Sequence, residues 1–180
     1  MDETGATYIL FQLGNATYGV PSGIVRQLEM IETITPVPNS PNFVEGVVLS
    51  RGQVIPAVNL RVRFGLEKIP FDLQTRLIVV DIEGRIVGLI VDTAREFVSI
   101  PPDAIHPPPE TLSGIAERYL DGVALLGDRL ILLLDVEKVL DPADPEIEQF
   151  GEMVAKIGKT ARKSLKMGGD YVAQGKTDAA

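Results

Sequence analysis

The side chains of this sequence that could perform acid–base chemistry are few, and most of them are aspartates. Two carboxylates held close together can act as general acid and general base, and Asp81, Asp92, Asp128 and Asp135 could in principle supply such a pair. Turn chemistry and a solubilising surface explain the same residues, and Asp128 stands in a hairpin-turn pattern. The single histidine, His106, lies in the stretch IHPPPE, where one imidazole cannot supply a two-histidine metal site.

Other signatures of catalysis are missing from the sequence. There is no cysteine, which excludes disulfides, thiolate metal sites and cysteine nucleophiles. None of the patterns GxSxG, HExxH, GxxxxGK[ST] or the EF-hand loop occurs. We therefore predict a protein that is not an enzyme and binds no metal or cofactor, with an acid-pair hydrolase as the remaining alternative.

One charged residue stands where the backbone does not require it. The stretch GVVLSRGQVIPAVNLR, residues 46–61, places Arg51 and Gly52 between two apolar runs. A tight hairpin turn favours glycine for its backbone freedom but has no need of arginine. Because a guanidinium can form two parallel hydrogen bonds with a carboxylate, Arg51 is a candidate for contact with a partner protein.

The segments around this turn occur twice in the chain. Residues 8–28 align without gaps on residues 77–97, a shift of 69 positions, and residues 46–60 align on 122–136, a shift of 76. The matches include Ile9 with Ile78, Gly19 with Gly88, Arg26 with Arg95, Gly46 with Gly122, Leu49 with Leu125 and Asn59 with Asp135. The difference of seven is an insertion in the proline-rich loop of the second copy, so the chain is predicted to be a duplicated unit.

Each copy is predicted to be built from β-strands. Runs such as TYILFQL, RLIVVDI and RLILLLDV are rich in β-branched and aromatic residues and are short for helices. Gly14-Asn15 and Glu83-Gly84 separate paired apolar runs, as hairpin turns do. Four or five short strands in each copy predict two small barrels packed together, each ending in a short helical turn.

The character of the sequence changes after residue 140. Asp144-Pro145 offers a helix start, and an apolar stripe at helical spacing follows, ended by Gly168-Gly169. The stripe consists of Ile147, Phe150, Val154, Ile157, Ala161 and Leu165. We therefore divide the chain into a domain of residues 1–140 and a helical extension with a loose tail, residues 141–180. The helix is expected either to pack along the barrels or to dock a partner.

Composition and charge exclude several classes of protein. The 180 residues are 45% hydrophobic, which is typical of a folded globular chain, and carry a net charge of −8. An acidic body without a basic patch disfavours nucleic-acid binding. The polar, acidic start MDETGATY and the lack of long apolar runs predict a soluble cytoplasmic protein with no membrane insertion.

Four stretches of the sequence carry a resemblance to a known family. They are YILFQLGNATYGVP, TPVPNSPNFVEGVVLSRGQVIPAVNLR, GLIVDTAREFVSI and YLDGVALLGDRLILLLDVEKVL, in that order. Together they resemble the CheW family of bacterial chemotaxis coupling proteins, from about residue 6 to residue 140. The most specific match is the Arg51 turn, where the family pattern is close to G-x-x-N-L-R-G-x-x-x-P-x-x-x-L-R and this chain has Gly46, Leu49, Arg51, Gly52, Pro56, Leu60 and Arg61.

The resemblance implies both a fold and a function. Members of the family have two five-stranded SH3-like barrels that share a hydrophobic core, and they have no catalytic activity. They act as adaptors that bridge the regulatory domain of the histidine kinase CheA to the cytoplasmic tip of chemoreceptors. A coupling protein of a parallel pathway, such as surface motility or another kinase-controlled output, is the alternative with the same fold.

Partner-binding residues are carried over from the family position by position. Arg51 and Gly52 match the arginine and glycine implicated in coupling, and Gly46 matches a glycine expected in the same surface turn. Val25 and Leu28 fall where the family presents apolar residues to the receptor tip, although core packing explains them equally.

Three positions depart from the family pattern. Gln27, the sixth partner-binding candidate, stands where some members have glutamate. Leu49 replaces the usual asparagine, and Ser50 stands where leucine is common. These departures bear on which receptor the chain serves.

Overall fold

The structure is a computed structural model that describes residues 5–109 and 118–141. The described strands are β1 (Ala6–Leu13), β2 (Ala16–Pro21), β3 (Val25–Met30), β4 (Val44–Ser50), β5 (Gln53–Asn59), β6 (Arg76–Ile82), β7 (Arg85–Val91), β8 (Thr93–Ile100), β9 (Ile105–His106), β10 (Leu120–Leu126) and β11 (Arg129–Leu134). Two single-turn helices, α1 (Leu60–Arg63) and α2 (Val136–Val139), follow β5 and β11. The amphipathic stripe predicted after residue 144 lies outside the described residues.

The strands form two sheets of nearly the same design. The six-stranded sheet has the order β8-β1-β2-β11-β10-β9, and the five-stranded sheet has the order β3-β6-β7-β5-β4. Five strands were predicted in each barrel. The six-stranded sheet has one more because the two-residue strand β9 pairs with its edge strand β10. Under the repeat found in the sequence, β3-β6-β7-β5-β4 corresponds member for member to β8-β1-β2-β11-β10, so the sheets are related by pseudo-symmetry.

The two sheets exchange strands between the sequence repeats. The hairpin β1–β2 of the first repeat pairs with β8 and β11 of the second, and the hairpin β6–β7 of the second pairs with β3 and β5 of the first. The prediction that each repeat closes a barrel of its own is therefore wrong. Two short parallel ladders, β2 with β11 and β5 with β7, join the repeats within each sheet.

Buried side chains form one shared core and two smaller cores inside the sheets. The shared core takes Ile9 and Val20 from the six-stranded sheet and Ile78 and Leu89 from the five-stranded sheet. Along β6, Leu77 and Val79 instead belong to the smaller core of the five-stranded sheet. Because β6 is buried on both faces, its sequence is a continuous apolar run. The predicted all-β fold with a shared core is confirmed.

An ion pair fastens the two sheets together where β7 ends. Asn59 caps α1 by accepting from the Arg61 N–H at 3.0 Å, and the Arg61 guanidinium donates to both oxygens of Asp92 at 2.7 and 2.6 Å. The backbone N–H of Gly14, in the β1–β2 turn, donates to Asp92 at 2.8 Å. Burial alone would raise the pKa of Asp92, but the hydrogen bonds from Arg61 and Gly14 outweigh it and hold that pKa below its usual range.

Replacing Asp92 with asparagine should lower the free energy of unfolding by about 2 kcal/mol at neutral pH, because Arg61 then keeps a largely buried charge without its hydrogen-bonded counter-ion and with only the weaker attraction of Glu67. Since the folded-state pKa of Asp92 is depressed, its contribution is complete well above the unfolded-state pKa of about 3.9 and is lost as the pH falls through the folded-state pKa. Urea unfolding between pH 7 and about pH 3 should therefore show a weaker acid destabilisation for Asp92→Asn than for the wild type.

Glu96→Gln is the matched control for this ion pair. It breaks the pair between Glu96 and Arg129, whose side chains are both about half exposed and therefore screened by water. The control should unfold close to the wild type at neutral pH. Equal losses for the two variants would contradict the fastening role of Asp92.

Candidate functional site

Arg51 occupies a backbone conformation that the turn itself does not favour for arginine. Ser50 pairs with Gln53 across the β4–β5 hairpin, and the two turn residues between them have φ of 48° for Arg51 and 77° for Gly52. Two successive positive φ angles are typical of a type I′ turn, in which asparagine and glycine are preferred. A left-handed conformation costs an ordinary L-residue about 1–2 kcal/mol. The fold therefore does not explain the arginine.

The Arg51 guanidinium is available to a partner. The residue is exposed, and within residues 5–109 and 118–141 it has no hydrogen bond or ion pair. Its pseudo-symmetric counterpart in the second sheet is Gly127, which has φ of 59° in the β10–β11 turn. The same turn is therefore built without a cation on the other sheet.

The side chains of Gln27 and Ser50 bridge the two edges of the five-stranded sheet. Strands β3 and β4 stand at opposite edges of this sheet, and the side-chain amide of Gln27 donates to the Ser50 hydroxyl across the seam. The same amide group donates to Glu29, and the Ser50 hydroxyl donates to Glu29 at 3.0 Å. Two of the departures from the family pattern, Gln27 and Ser50, are thus bonded to each other. A leucine at position 50 could not make these bonds.

Val25 and Leu28 do not form an exposed apolar pair. Both side chains are half-buried and pack against the shared core. The structure therefore corrects the expectation of a projecting apolar contact at these positions, since much of each side chain is used by the fold. Their part in partner binding stays a prediction.

Gly46 lies in a bulge of β4 and not in the surface turn. The register between β4 and β5 shifts between Val44 and Gly46, and Gly46 is buried with φ of 148°. A Cβ atom at this position would stand 2.2 Å from the carbonyl oxygen of Thr35. The expectation that Gly46 belongs to the exposed turn is wrong, because here the glycine permits a close backbone approach.

Two exposed apolar side chains near Arg51 were not among the sequence candidates as binding residues. Leu49 is 65% exposed and Met30 is 54% exposed. Leu49 points outward between the buried residues Val48 and Ser50, but an apolar residue followed by a polar one gave no sequence signal for this direction. Met30 is the last residue of β3, where the sequence pattern gave no signal either.

Three of the four aspartates considered for acid catalysis are engaged with separate partners, and the fourth, Asp128, is exposed in the β10–β11 turn. Asp81 accepts from Arg26 and from the Gly84 N–H, and both bonds hold the pKa of Asp81 below its usual range. Asp92 is bound by Arg61, and Asp135 caps α2 by accepting from the Lys138 N–H at 3.2 Å. Within the described part of the chain, no group of three or more histidine, cysteine or acidic residues could hold a metal ion. No helix there is long and apolar enough to cross a membrane.

A family model described as the CheW-like domain matches residues 7–144, which contain both sheets. The chain belongs to the CheW-like domain family. Chemotaxis protein CheW of Klebsiella aerogenes is 34% identical over 139 residues, covering 77% of this chain and 84% of the relative. The CheW protein of Helicobacter pylori is 37% identical over 141 residues, with coverage of 77% and 84%. Protein FrzA of Myxococcus xanthus is 31% identical over 137 residues, with coverage of 76% and 86%.

A solved structure of the CheW family has the same fold. The crystal structure of the scaffolding protein TtCheW from Thermoanaerobacter tengcongensis matches with a TM-score of 0.71 and 30% identity, covering 76% of this chain and 93% of that chain. The names of these CheW relatives confirm the predicted chemotaxis coupling role at the level of the family. None of them supports the acid-pair hydrolase.

Gly46→Ala should destabilise the fold by about 3 kcal/mol, because the added methyl group collides with the Thr35 backbone and positive φ is strained for alanine. Urea unfolding measures the loss. The control is Gly23→Ala, where an added Cβ meets nothing within 4 Å and should leave stability nearly unchanged. A Gly46→Ala protein that unfolds like the wild type but fails to bind a partner would instead make Gly46 a contact residue.

Proposed function

We propose that this chain is a non-catalytic adaptor that binds the regulatory domain of the histidine kinase CheA and the cytoplasmic tip of chemoreceptors. The observation that carries the proposal is the Arg51 turn. A cation stands there in a left-handed conformation that disfavours it, exposed and without a partner in the described residues. Backbone strain retained at an exposed charged residue favours a role in binding over a role in folding.

The surroundings of Arg51 suit protein recognition. The turn is held rigidly between β4 and β5, and the Gln27–Ser50 bond fixes the neighbouring strand β3. Leu49 and Met30 add exposed apolar surface beside the cation. An arginine beside apolar side chains on a rigid frame is typical of the energetically important part of a protein interface.

A cytoplasmic location follows from the proposed partners. Both the kinase regulatory domain and the receptor tip present their binding surfaces to the cytoplasm, so the adaptor must be there to bind both at once. Its acidic surface, with a net charge of −8, also disfavours adhesion to nucleic acid or to anionic lipid.

A coupling protein of a parallel pathway is the second candidate. The similarity to protein FrzA, which carries a name other than CheW, supports it. The fold and the Arg51 turn suit both candidates, and the identity of the bound receptor distinguishes them.

Arg51→Asn should separate binding from stability. Calorimetric titration of the wild type into the purified regulatory domain of CheA from the same organism should give a micromolar complex. If Arg51 is desolvated in the interface, its loss should weaken binding by about 2 kcal/mol, roughly thirtyfold in Kd. The free energy of unfolding should stay the same or rise by up to about 1 kcal/mol, because asparagine accepts positive φ more readily.

Arg95→Asn is the control for the loss of one positive charge. Arg95 is an exposed residue of β8 on the six-stranded sheet, and its replacement should leave the affinity for the kinase domain unchanged. The absence of binding by the wild type at high concentration would refute the adaptor function. Normal binding by Arg51→Asn to both the kinase domain and a receptor-tip fragment would remove Arg51 from the site.

A further inference from the structure

A groove runs beside the Arg51 turn at the end of the five-stranded sheet. Its volume is about 560 Å³, and its rim carries Glu29, Met30, Glu32, Leu49 and Arg51. Buried Val48 and Leu77 also line it. The groove thus combines an apolar lining with charged residues at its edge.

The charges of the groove are predominantly negative. Glu32 is exposed, and Glu29 is held in place because one of its carboxylate oxygens, Oε1, accepts from Gln27 and Ser50. The second oxygen of Glu29, Oε2, accepts no hydrogen bond within the described residues, and no buried side-chain polar atom there lacks a partner, so this oxygen faces solvent. The Arg51 cation is therefore accompanied by two carboxylates, that of Glu29, which is held by hydrogen bonds, and that of Glu32, which is exposed.

The second sheet shows that the fold does not need these charges. At the pseudo-equivalent positions, Val98 replaces Glu29, Leu126 replaces Ser50 and Gly127 replaces Arg51. Leu125, the counterpart of Leu49, is exposed in the same way. The same strand arrangement thus occurs in both sheets, but the charges of Glu29 and Arg51 have no counterpart at the equivalent positions of the six-stranded sheet. The charged residues are an addition to a framework that folds without them.

We propose that this groove selects the protein that docks beside Arg51. Its occupant is a partner surface that presents an apolar side chain next to a lysine or arginine, with a carboxylate placed to meet Arg51. The apolar side chain contacts Met30 and Leu49, and the basic one faces Glu29 and Glu32. Glu29 is a specificity-determining residue positioned by Gln27 and Ser50. The inference rests on the adaptor function proposed above and gives the chemistry of the partner.

The test is a titration against two probes, the CheA regulatory domain and a receptor-tip fragment from the same organism. The double variant Glu29→Gln/Glu32→Gln should raise Kd for one probe by about tenfold at low salt, and the difference from wild type should shrink as salt is added. The matched control Asp103→Asn/Glu137→Gln removes two exposed carboxylates elsewhere and should bind as the wild type does. Thermal unfolding of each variant establishes that it is folded.

A second pair of variants tests the apolar part of the groove. Leu49→Asn introduces the residue usual in the family and should weaken binding of the same probe severalfold, whereas Leu125→Asn, the same change at the pseudo-equivalent position, should not. Unchanged Kd for Glu29→Gln/Glu32→Gln with both probes, in a protein whose wild type binds, would overturn the groove proposal and leave the adaptor function intact. Failure of the wild type to bind either probe would overturn both.

Discussion

The exchange of strands between the two repeats is the constraint on which the rest of the structure depends. Neither repeat contains a complete sheet, because each sheet takes its central hairpin from the other repeat. The shared core lies where the two hairpins meet, and the Arg61–Asp92 pair connects α1, the end of β7 and the β1–β2 turn at the same junction. The two halves are therefore one cooperative body, and a surface on one sheet is held by residues of both.

The position of the candidate site follows from this arrangement. Strands β3 and β4 are the edges of the five-stranded sheet, and β6–β7 from the second repeat lie between them. Without that inserted hairpin the two edges would have no common sheet, and Gln27 could not reach Ser50. The hairpin β6–β7, more than twenty residues further along the chain than Arg51, separates and aligns strands β3 and β4. It thereby brings together the Arg51 turn, the groove beside it and the Glu29 carboxylate.

Sequence reasoning found the local units but could not find their pairing. The repeat, the hairpin turns and the strand character were predictable because they depend on spacing, turn residues and apolar runs over short distances. The parallel contacts of β2 with β11 and of β5 with β7 join segments distant in sequence, and one sequence contains no pattern that distinguishes them from pairing within a repeat. Gly46 was misplaced for a related reason, since glycine suits a turn and a bulge equally well and Thr35 is what decides between them. The sequence could not distinguish partner contact from core packing at Val25 and Leu28, because an apolar strand residue suits both roles.

The parallel ladder between β2 and β11 also has a consequence for how the protein is made. The first hairpin leaves the ribosome early, but its neighbour β11 is translated more than a hundred residues later, at Arg129–Leu134. During that interval β2 presents an unpaired edge, which is the kind of surface that other nascent chains and chaperones bind. Synthesis must pass residue 134 before β11 can pair with β2, so the six-stranded sheet closes later than the five-stranded sheet, whose strands all lie within residues 25–91.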